Sequence, residues 1–481
     1  MDQFLRECRS AMQNKSETLD FHVVLGNEAC DLDSMTSALA LAYYLTKTSA
    51  SKNLAYIPVL NIVREDFPLR TESTYSLKKN HVTDENLIFR DEIDIHGLYE
   101  SGRLVLTLVD HNVLPRADSY MEDVVTEVID HRPLERKPSL NCKVTSELVG
   151  SCTTLVTERI LLGTPEILDS QLASLLHDTI VLDCVNMAPA AGKVTPKDTE
   201  YVTKLESMFP GLPPRGAVFD ALQKAKFNVT GLTTEQMLRK DLKVLLSRDI
   251  SLAISVLYMK LEDFLQKEDI ESDLRSFCHR HQHNVLVAMA ITFNRSNEPM
   301  RQVAVYSQRE EFRKSVCKAL EEATNPLLDL TLLSCPPCEN IVTYAQGNTA
   351  ASRKKLLPIL KDFLRRRDLE ESTTLSMQSF QNPVGQPNHE NINCNPMFGD
   401  SGDQDFCFGD DLKSKGFPGS YKAPIDDGLE EERSFPPTPM NSLVEGCPLD
   451  RGLPKLTAEA ILERFSHIDV DSEGQSSDDK K

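Results

Sequence analysis

The sequence predicts a two-domain α/β protein with a long acidic extension, and three observations carry that prediction. Short apolar runs alternate with amphipathic segments across residues 21–185, the pattern of βαβ units and so of a mostly parallel sheet flanked by helices. Four of those runs close on an acid. Residues 21–25 lead into Gly26-Asn27-Glu28-Ala29-Cys30-Asp31-Leu32-Asp33-Ser34, and 104–109 into Asp110-His111-Asn112. Residues 124–129 lead into Asp130-His131-Arg132, and 179–182 into Asp183. A buried strand ending in a carboxylate delivers that acid to the carboxyl edge of the sheet, where open α/β folds bind their ligands. The third observation is a change of composition near residue 371, beyond which lie ten of the 26 prolines, many Asn, Ser and Gly, and few aliphatics.

Taken in order, strands are expected near 21–25, 55–60, 86–90, 104–109, 125–129 and 143–148. Helices are expected after Ser34, where Ser37, Ala38, Leu39, Leu41 and Ala42 give the apolar face, after Ser151, and over 170–182. The last overlaps the run ahead of Asp183, which therefore carries both a strand-like and a helical reading. Ser34 and Ser151 are of the type that caps a helix N-terminus. A proline-rich linker with a short helix between its prolines is read at 188–215, separating a domain at 15–187 from a smaller α/β domain at 216–368. In the second domain strands are expected at 252–258, 284–293 and 303–307, with a final basic helix at 352–366. Residues 369–481 read as a disordered acidic tail, too poor in apolar surface to fold alone. Within it, Phe435-Pro436-Pro437-Thr438-Pro439-Met440 has the form of an extended segment with a proline-directed phosphorylation site. Ile461, Leu462, Phe465 and Ile468 share one face of a partner-docking helix at 457–468.

Composition excludes several classes. At 481 residues the chain is too long for one compact core. It has no apolar stretch long enough to span a membrane and no apolar signal segment at its start, so no membrane partner is expected. Twelve scattered cysteines suit a reducing compartment, and a cytoplasmic location, extending to the nucleus, is expected. Cys335-Pro336-Pro337-Cys338 lacks a second pair at zinc spacing and reads as a loop. Net charge is −20, about −12 of it in residues 371–481. That balance disfavours nucleic-acid binding, which needs a basic stripe, but leaves a phosphate substrate open.

A single Asp after a strand is usually a turn former or a helix cap. Four such ends, one of them the pair Asp31/Asp33, are harder to explain that way. Acids gathered on one edge repel unless cations sit among them, so the pattern points to divalent metal. Asp31 and Asp33 are spaced to reach two different ions, and Asp110 can bridge both through its two oxygens. Asp183 and His131 complete the set. Oxygen-rich ligation with an imidazole suits Mn²⁺ or Mg²⁺ better than Zn²⁺. Two such ions can share a water, lower its pKa and clamp phosphoryl oxygens during in-line attack.

The stretch 26–34, together with Val149-Gly150-Ser151-Cys152-Thr153-Thr154-Leu155 and Ser352-Arg353-Lys354-Lys355, resembles the DHH phosphoesterase superfamily. The likeness is to the branch holding family II inorganic pyrophosphatases and exopolyphosphatases, and within it to the prune family. It covers roughly residues 15–368. The resemblance implies two metals, Mn²⁺ or Mg²⁺, on Asp31, Asp33, Asp110, His131 and Asp183, with Asp110, His111 and His131 catalytic. It further implies substrate contacts at Asn27, Arg132, Lys243 and Arg353. Two positions depart from the pyrophosphatase pattern: Asn27 and Arg132 stand where pyrophosphatases carry His. An Arg can bind phosphate bidentately but cannot donate a proton near neutral pH. At the motif that names the superfamily the chain has Asp110-His111-Asn112 rather than Asp-His-His.

The function expected is a two-metal phosphohydrolase cleaving phosphoanhydride bonds of short-chain polyphosphates or nucleoside polyphosphates. Cyclic-nucleotide phosphodiesterase activity and weak pyrophosphatase activity are expected beside it. The alternative is a catalytically weak scaffold recruiting protein partners through its tail, nucleoside-diphosphate kinase being the one the resemblance suggests. A single-strand exonuclease is disfavoured by the acidic balance and the lack of an aromatic-rich basic surface.

Overall fold

A computed structural model describes residues 1–13, 19–51, 53–137, 139–294, 299–333 and 340–379, with the side chains of 371–379 left aside. Residues 380–481 of the expected tail, including Thr438, Pro439 and the helix expected at 457–468, lie outside the described residues, as do Cys335 and Cys338.

The N-terminal part holds helix α1 (Asp2–Gln13), strand β1 (Asp20–Leu25), α2 (Leu32–Thr48), β2 (Leu54–Val59), α3 (Thr71–Lys79), α4 (Ile95–Glu100), β3 (Leu104–Val109), β4 (Val125–Asp130) and β5 (Lys143–Ser146). Helices α5 (Cys152–Gly163), α6 (Ser170–Asp183), α7 (Pro196–Met208) and α8 (Arg215–Phe227) follow. The five strands pair in the order β2-β1-β3-β4-β5, all parallel. Strand order reverses between β1 and β3, so the loops leaving their carboxyl ends diverge and open a crevice there. Those loops carry Asp31 and Asp110, and Asp33 stands in the first turn of α2 beside them. The expected α/β class and its parallel sheet are what the chain adopts.

The second part holds α9 (Thr234–Lys240), β6 (Leu242–Leu246), β7 (Ser251–Leu257), α10 (Leu261–Leu265), α11 (Ile270–Arg280), β8 (Val285–Phe293), β9 (Pro299–Tyr306), α12 (Glu310–Glu321), β10 (Leu330–Leu332), β11 (Ile341–Gln346) and α13 (Arg353–Ser379). Its sheet runs β10-β11-β9-β8-β7-β6, with β7 and β8 parallel and the other pairs antiparallel. Alternation along β8 explains the layering. Val285, Val287 and Met289 pack with Phe312, Val316, Leu356 and Leu360 of α12 and α13. Leu286, Ala288 and Ala290 face Leu238, Phe264, Leu274 and Phe277 from α9 to α11.

Several expected elements are corrected. Residues 86–90 form no strand: 3-10 turns at Asp84–Asn86 and Arg90–Glu92 bracket a single parallel bridge between Leu60 and Phe89. Their acidic and amide residues favour turns, leaving only three buried apolar positions between them. Helix α2 starts before Ser34, capped by Asp31, whose Oδ1 accepts from the Ser34 amide at 3.2 Å. Ser151 does precede α5, but its hydroxyl does not cap it. Asp183 ends a helix, not a strand, because α6 buries its residues on nearly every side and so hides its period. Strands β6, β10 and β11 were not foreseen, and α13 continues past residue 366.

The stretch 188–215 holds α7, and Val202 and Leu205 of α7 and Val218 and Leu222 of α8 are buried in the N-terminal core. Leu205→Ala is therefore expected to destabilise the protein by about 2–5 kcal/mol in denaturant unfolding, where an exposed linker leucine would cost under about 0.5 kcal/mol. Contacts between the two parts include the Phe227 and Tyr258 rings, 5.3 Å apart, and several polar contacts of α9. Arg239 pairs with Asp66 and, at 3.2 Å, with Glu65, and Lys240 Nζ donates to Leu69 O (2.7 Å) and Thr71 Oγ1 (2.8 Å).

Candidate metal centre

The loop leaving β1 folds tightly around α2. Gly26 is required there, since a Cβ would lie 2.2 Å from Ser34 Oγ and 3.2 Å from the Ser34 carbonyl. The Asn27 amide donates to Ser34 Oγ (2.8 Å), and Cys30 takes a left-handed φ of 46°. Asn61 Nδ2 donates to Gly26 O and Arg70 Nε to Ala29 O, both at 2.9 Å, so the loop is gripped from the 61–70 segment. Asp110 also has positive φ, 62°, uncommon for a non-glycine residue and a mark of a constrained site.

Three predicted ligands converge. One ligand atom each from Asp33, Asp110 and His131 lies within 4.8 Å of the others. His131 Nε2 is 3.2 Å from Asp110 Oδ1 and 3.9 Å from Asp33 Oδ2. Its Nδ1 is 3.1 Å from the Val149 carbonyl, which can only accept. The proton therefore sits on Nδ1 in the neutral ring, and the Nε2 lone pair faces the acids. Asp33 is held at the start of α5, accepting from Ser151 Oγ (2.8 Å), the amides of Cys152 (2.7 Å) and Thr153 (2.8 Å), and Thr153 Oγ1 (2.6 Å). Asn27 Nδ2 donates to Asp110 Oδ2 at 2.5 Å, and Arg132 Nη2, on a half-exposed side chain, lies 3.4 Å from Asp110 Oδ1.

Asp31 and Asp183 stand within electrostatic reach. Burial, then the charge of Asp33, raises both their carboxyls. Asp110 is raised for the same two reasons, the His131 hydrogen bond notwithstanding. Burial opposes charge on His131, but its bond to Asp110 and the fields of Asp33 and Asp183 raise it above the usual imidazole range. This is an over-acidic, dehydrated cluster that holds protons where divalent cations would replace them. The donors fit hard ions, being carboxylates and one imidazole. Burial pushes the nearby Cys30 thiol up to about 12 and raises Cys152 well above the ordinary thiol range, so neither offers a thiolate.

Other predicted residues lie elsewhere. His111 Nδ1 bonds the Val109 carbonyl (2.9 Å), its Nε2 is buried without a partner, and the nearest acids acting on it are Asp130 and Asp118. Arg353 is buried in the second part, with Nη2 2.7 Å from Asp241 Oδ1 and Nη1 donating to Asp241 O. Lys243 lies on β6 opposite Ile254 and joins no ion pair among the described residues. Asp130 is spent on its own loops, accepting from Asn112 and the His131 amide.

Sequence reasoning missed a cationic group beside the acids. Glu72 is buried, yet Lys240, Lys226 and Arg70 hold its carboxyl low against that burial. Burial lowers Lys226, whose ammonium also feels Asp31 and Asp183, and lowers Lys240 to about 8. Nothing in Lys224-Ala225-Lys226-Phe227 marks Lys226 apart from an ordinary basic helix end.

Residues 22–182 match the model of the DHH family N-terminal domain, and 220–363 that of the DHHA2 domain. Human exopolyphosphatase PRUNE1 is 48% identical over 481 residues, all of both chains. The chain belongs to the prune family of DHH phosphoesterases. Mouse protein prune homolog 2 is 35% identical over 77% of this chain but 12% of its own length. A Methanococcus jannaschii structure described as a candidate family II inorganic pyrophosphatase aligns with 72% of this chain and 99% of its own, at 20% identity and a TM-score of 0.40. With exopolyphosphatase relatives along its whole length and both DHH domains, this chain is a metal-dependent phosphohydrolase. Among the described residues no helix is long and apolar enough to cross a membrane.

Proposed function

We propose that the protein cleaves phosphoanhydride bonds of short-chain polyphosphates and nucleoside polyphosphates, with slower action on pyrophosphate and on cyclic nucleotides. The observation that carries this reading is the meeting of Asp33, Asp110 and His131 at the β1/β3 crevice. Asp31, Asp33, Asp110, His131 and Asp183 would hold two Mn²⁺ or Mg²⁺ ions, which supply an activated water and neutralise phosphoryl charge. Asn27 orients Asp110 through its amide, the Val149 carbonyl fixes His131, and Arg132 offers an exposed guanidinium to a phosphate oxygen. His111, Lys243 and Arg353 are carried over from the family pattern: His111 as a catalytic group, the other two as phosphate contacts. For Arg353 that role requires exchange of its Asp241 partner for substrate.

Purified protein should be assayed against pyrophosphate, tripolyphosphate, tetrapolyphosphate and cyclic AMP with Mg²⁺ and Mn²⁺ in turn. Tripolyphosphate or tetrapolyphosphate should turn over fastest; no metal-dependent release of phosphate from any would sink the reading.

Arg132→His restores a side chain that transfers protons near neutral pH, so pyrophosphate turnover should rise several-fold. An unchanged or lower rate would show that this position does not limit the chemistry.

We further propose that the protein is cytoplasmic, extending to the nucleus, and that protein partners, nucleoside-diphosphate kinase among them, are recruited through the tail at 369–481. Deleting that segment should leave turnover intact and abolish pull-down of the kinase. Loss of turnover in a folded truncation would assign the segment to catalysis.

A further inference from the structure

Asp198, on α7 between the two family-model regions, belongs to no predicted site, yet it is fully buried and accepts four hydrogen bonds. One, from the Thr195 amide (2.8 Å), is half of a helix capping box whose other half is the Asp198 amide donating to Thr195 Oγ1 (3.3 Å), and a second comes from the Thr195 hydroxyl (2.7 Å). The other two reach far back along the chain, to the Gly150 amide (2.8 Å) and Thr154 Oγ1 (2.6 Å). No Lys or Arg pairs with it among the described residues. Capping alone does not call for a buried carboxylate without a cation, since an amide or hydroxyl would serve at lower desolvation cost.

The segment it holds is the one that orients the metal centre. Between Gly150 and Thr154 lie Ser151, Cys152 and Thr153, whose four donors fix the Asp33 carboxylate, and the preceding Val149 carbonyl sets the His131 ring. Asp198 pins this segment at both ends. Gly150 admits no side chain there, as a Cβ would meet Cys184 Sγ at 2.4 Å, Lys193 O at 2.8 Å and Asp198 Oδ2 at 3.0 Å. Charge-assisted bonds of this length hold backbone more stiffly than neutral ones.

We propose that Asp198 is a positioning residue that sets Asp33 and His131 for divalent-metal binding; the proposal rests on the metal-centre reading above. Asp198→Asn puts an NH₂ against donors that need an acceptor. In the metal-free full chain, Mn²⁺ affinity measured by the paramagnetic signal of free Mn²⁺ should fall about 10- to 100-fold, the usual consequence of losing such a support. The Mn²⁺ needed for half-maximal turnover should rise in parallel, with kcat at saturating Mn²⁺ returning to near wild type. Thr154→Val removes one of the bonds and should weaken Mn²⁺ binding in the same direction by less. Asp178→Asn is the control. That carboxylate is equally buried but ties α3 to α6 through Ser76, Lys79 and Asn80, so its loss should lower stability without moving Mn²⁺ affinity.

Wild-type Mn²⁺ affinity in folded Asp198→Asn and Thr154→Val would overturn the proposal, as would an equal weakening in Asp178→Asn. Should Asp198→Asn fail to fold, Thr154→Val decides alone. A wild-type chain that binds no Mn²⁺ would overturn the metal-centre reading itself, an outcome distinct from normal wild-type binding with unaffected variants.

Discussion

Asp110→Ala is expected to remove hydrolysis of tripolyphosphate by about 10³-fold or more while the fold survives. Asp110 is almost completely buried and is where the other groups meet: His131 and Arg132 on Oδ1, Asn27 on Oδ2. Removing it separates the β3 loop from the β1 loop at the chemical centre. Its positive φ makes Ala mildly strained, so Asp110→Asn, which tolerates that conformation, serves as the companion variant. Both should give wild-type circular dichroism. Near-normal turnover at saturating Mn²⁺ in either would show that the centre has been assigned to the wrong residues.

The second large effect is the response of stability to pH with and without metal. In the metal-free chain, Asp110 is pushed up to about 8, and Asp31, Asp183 and His131 are raised as well. A group whose folded pKa exceeds its unfolded value stabilises the fold below the unfolded pKa and loses that contribution as pH rises through the folded one. All four shifts have this sign. Metal-free protein should therefore melt at progressively lower temperature as pH climbs from about 5 to 9, when repulsion among the acids is switched on. Bound cations reverse that repulsion, so Mn²⁺ should stabilise more at pH 9 than at pH 6. Free Mn²⁺ at a hundred times its Kd adds about 2.7 kcal/mol. A metal-free melting temperature flat across this range would mean the acids are already compensated within the protein.

The parallel sheet was legible because its central strands β1, β3 and β4 are largely buried and end in polar loops, as residues 21–33, 104–112 and 124–132 show. The convergence of Asp33, Asp110 and His131 followed from that edge placement. Asp183 was legible both as an acid after a strand-like run and as the close of a helix, since α6 is apolar nearly all round, and the helical reading is the one that holds. Helix α7 was legible as a short helix between prolines, which sit at its first turn and beyond its end, where helices tolerate them, but its burial in the N-terminal core was not. The roles of Lys226, Lys240 and Asp198 were not legible at all. Each is defined by partners far away in sequence, and Lys or Asp at a helix end ordinarily means a solvated charge or a cap.

The most direct measurement is the number of Mn²⁺ ions bound per chain, by equilibrium dialysis of metal-stripped protein with elemental analysis, run beside Asp110→Asn. Two ions on the wild-type chain, and the loss of at least one from the variant with weakening of the other, are the expected result. No binding by the wild type, or identical binding by both chains, would contradict a metal centre at the β1/β3 crevice.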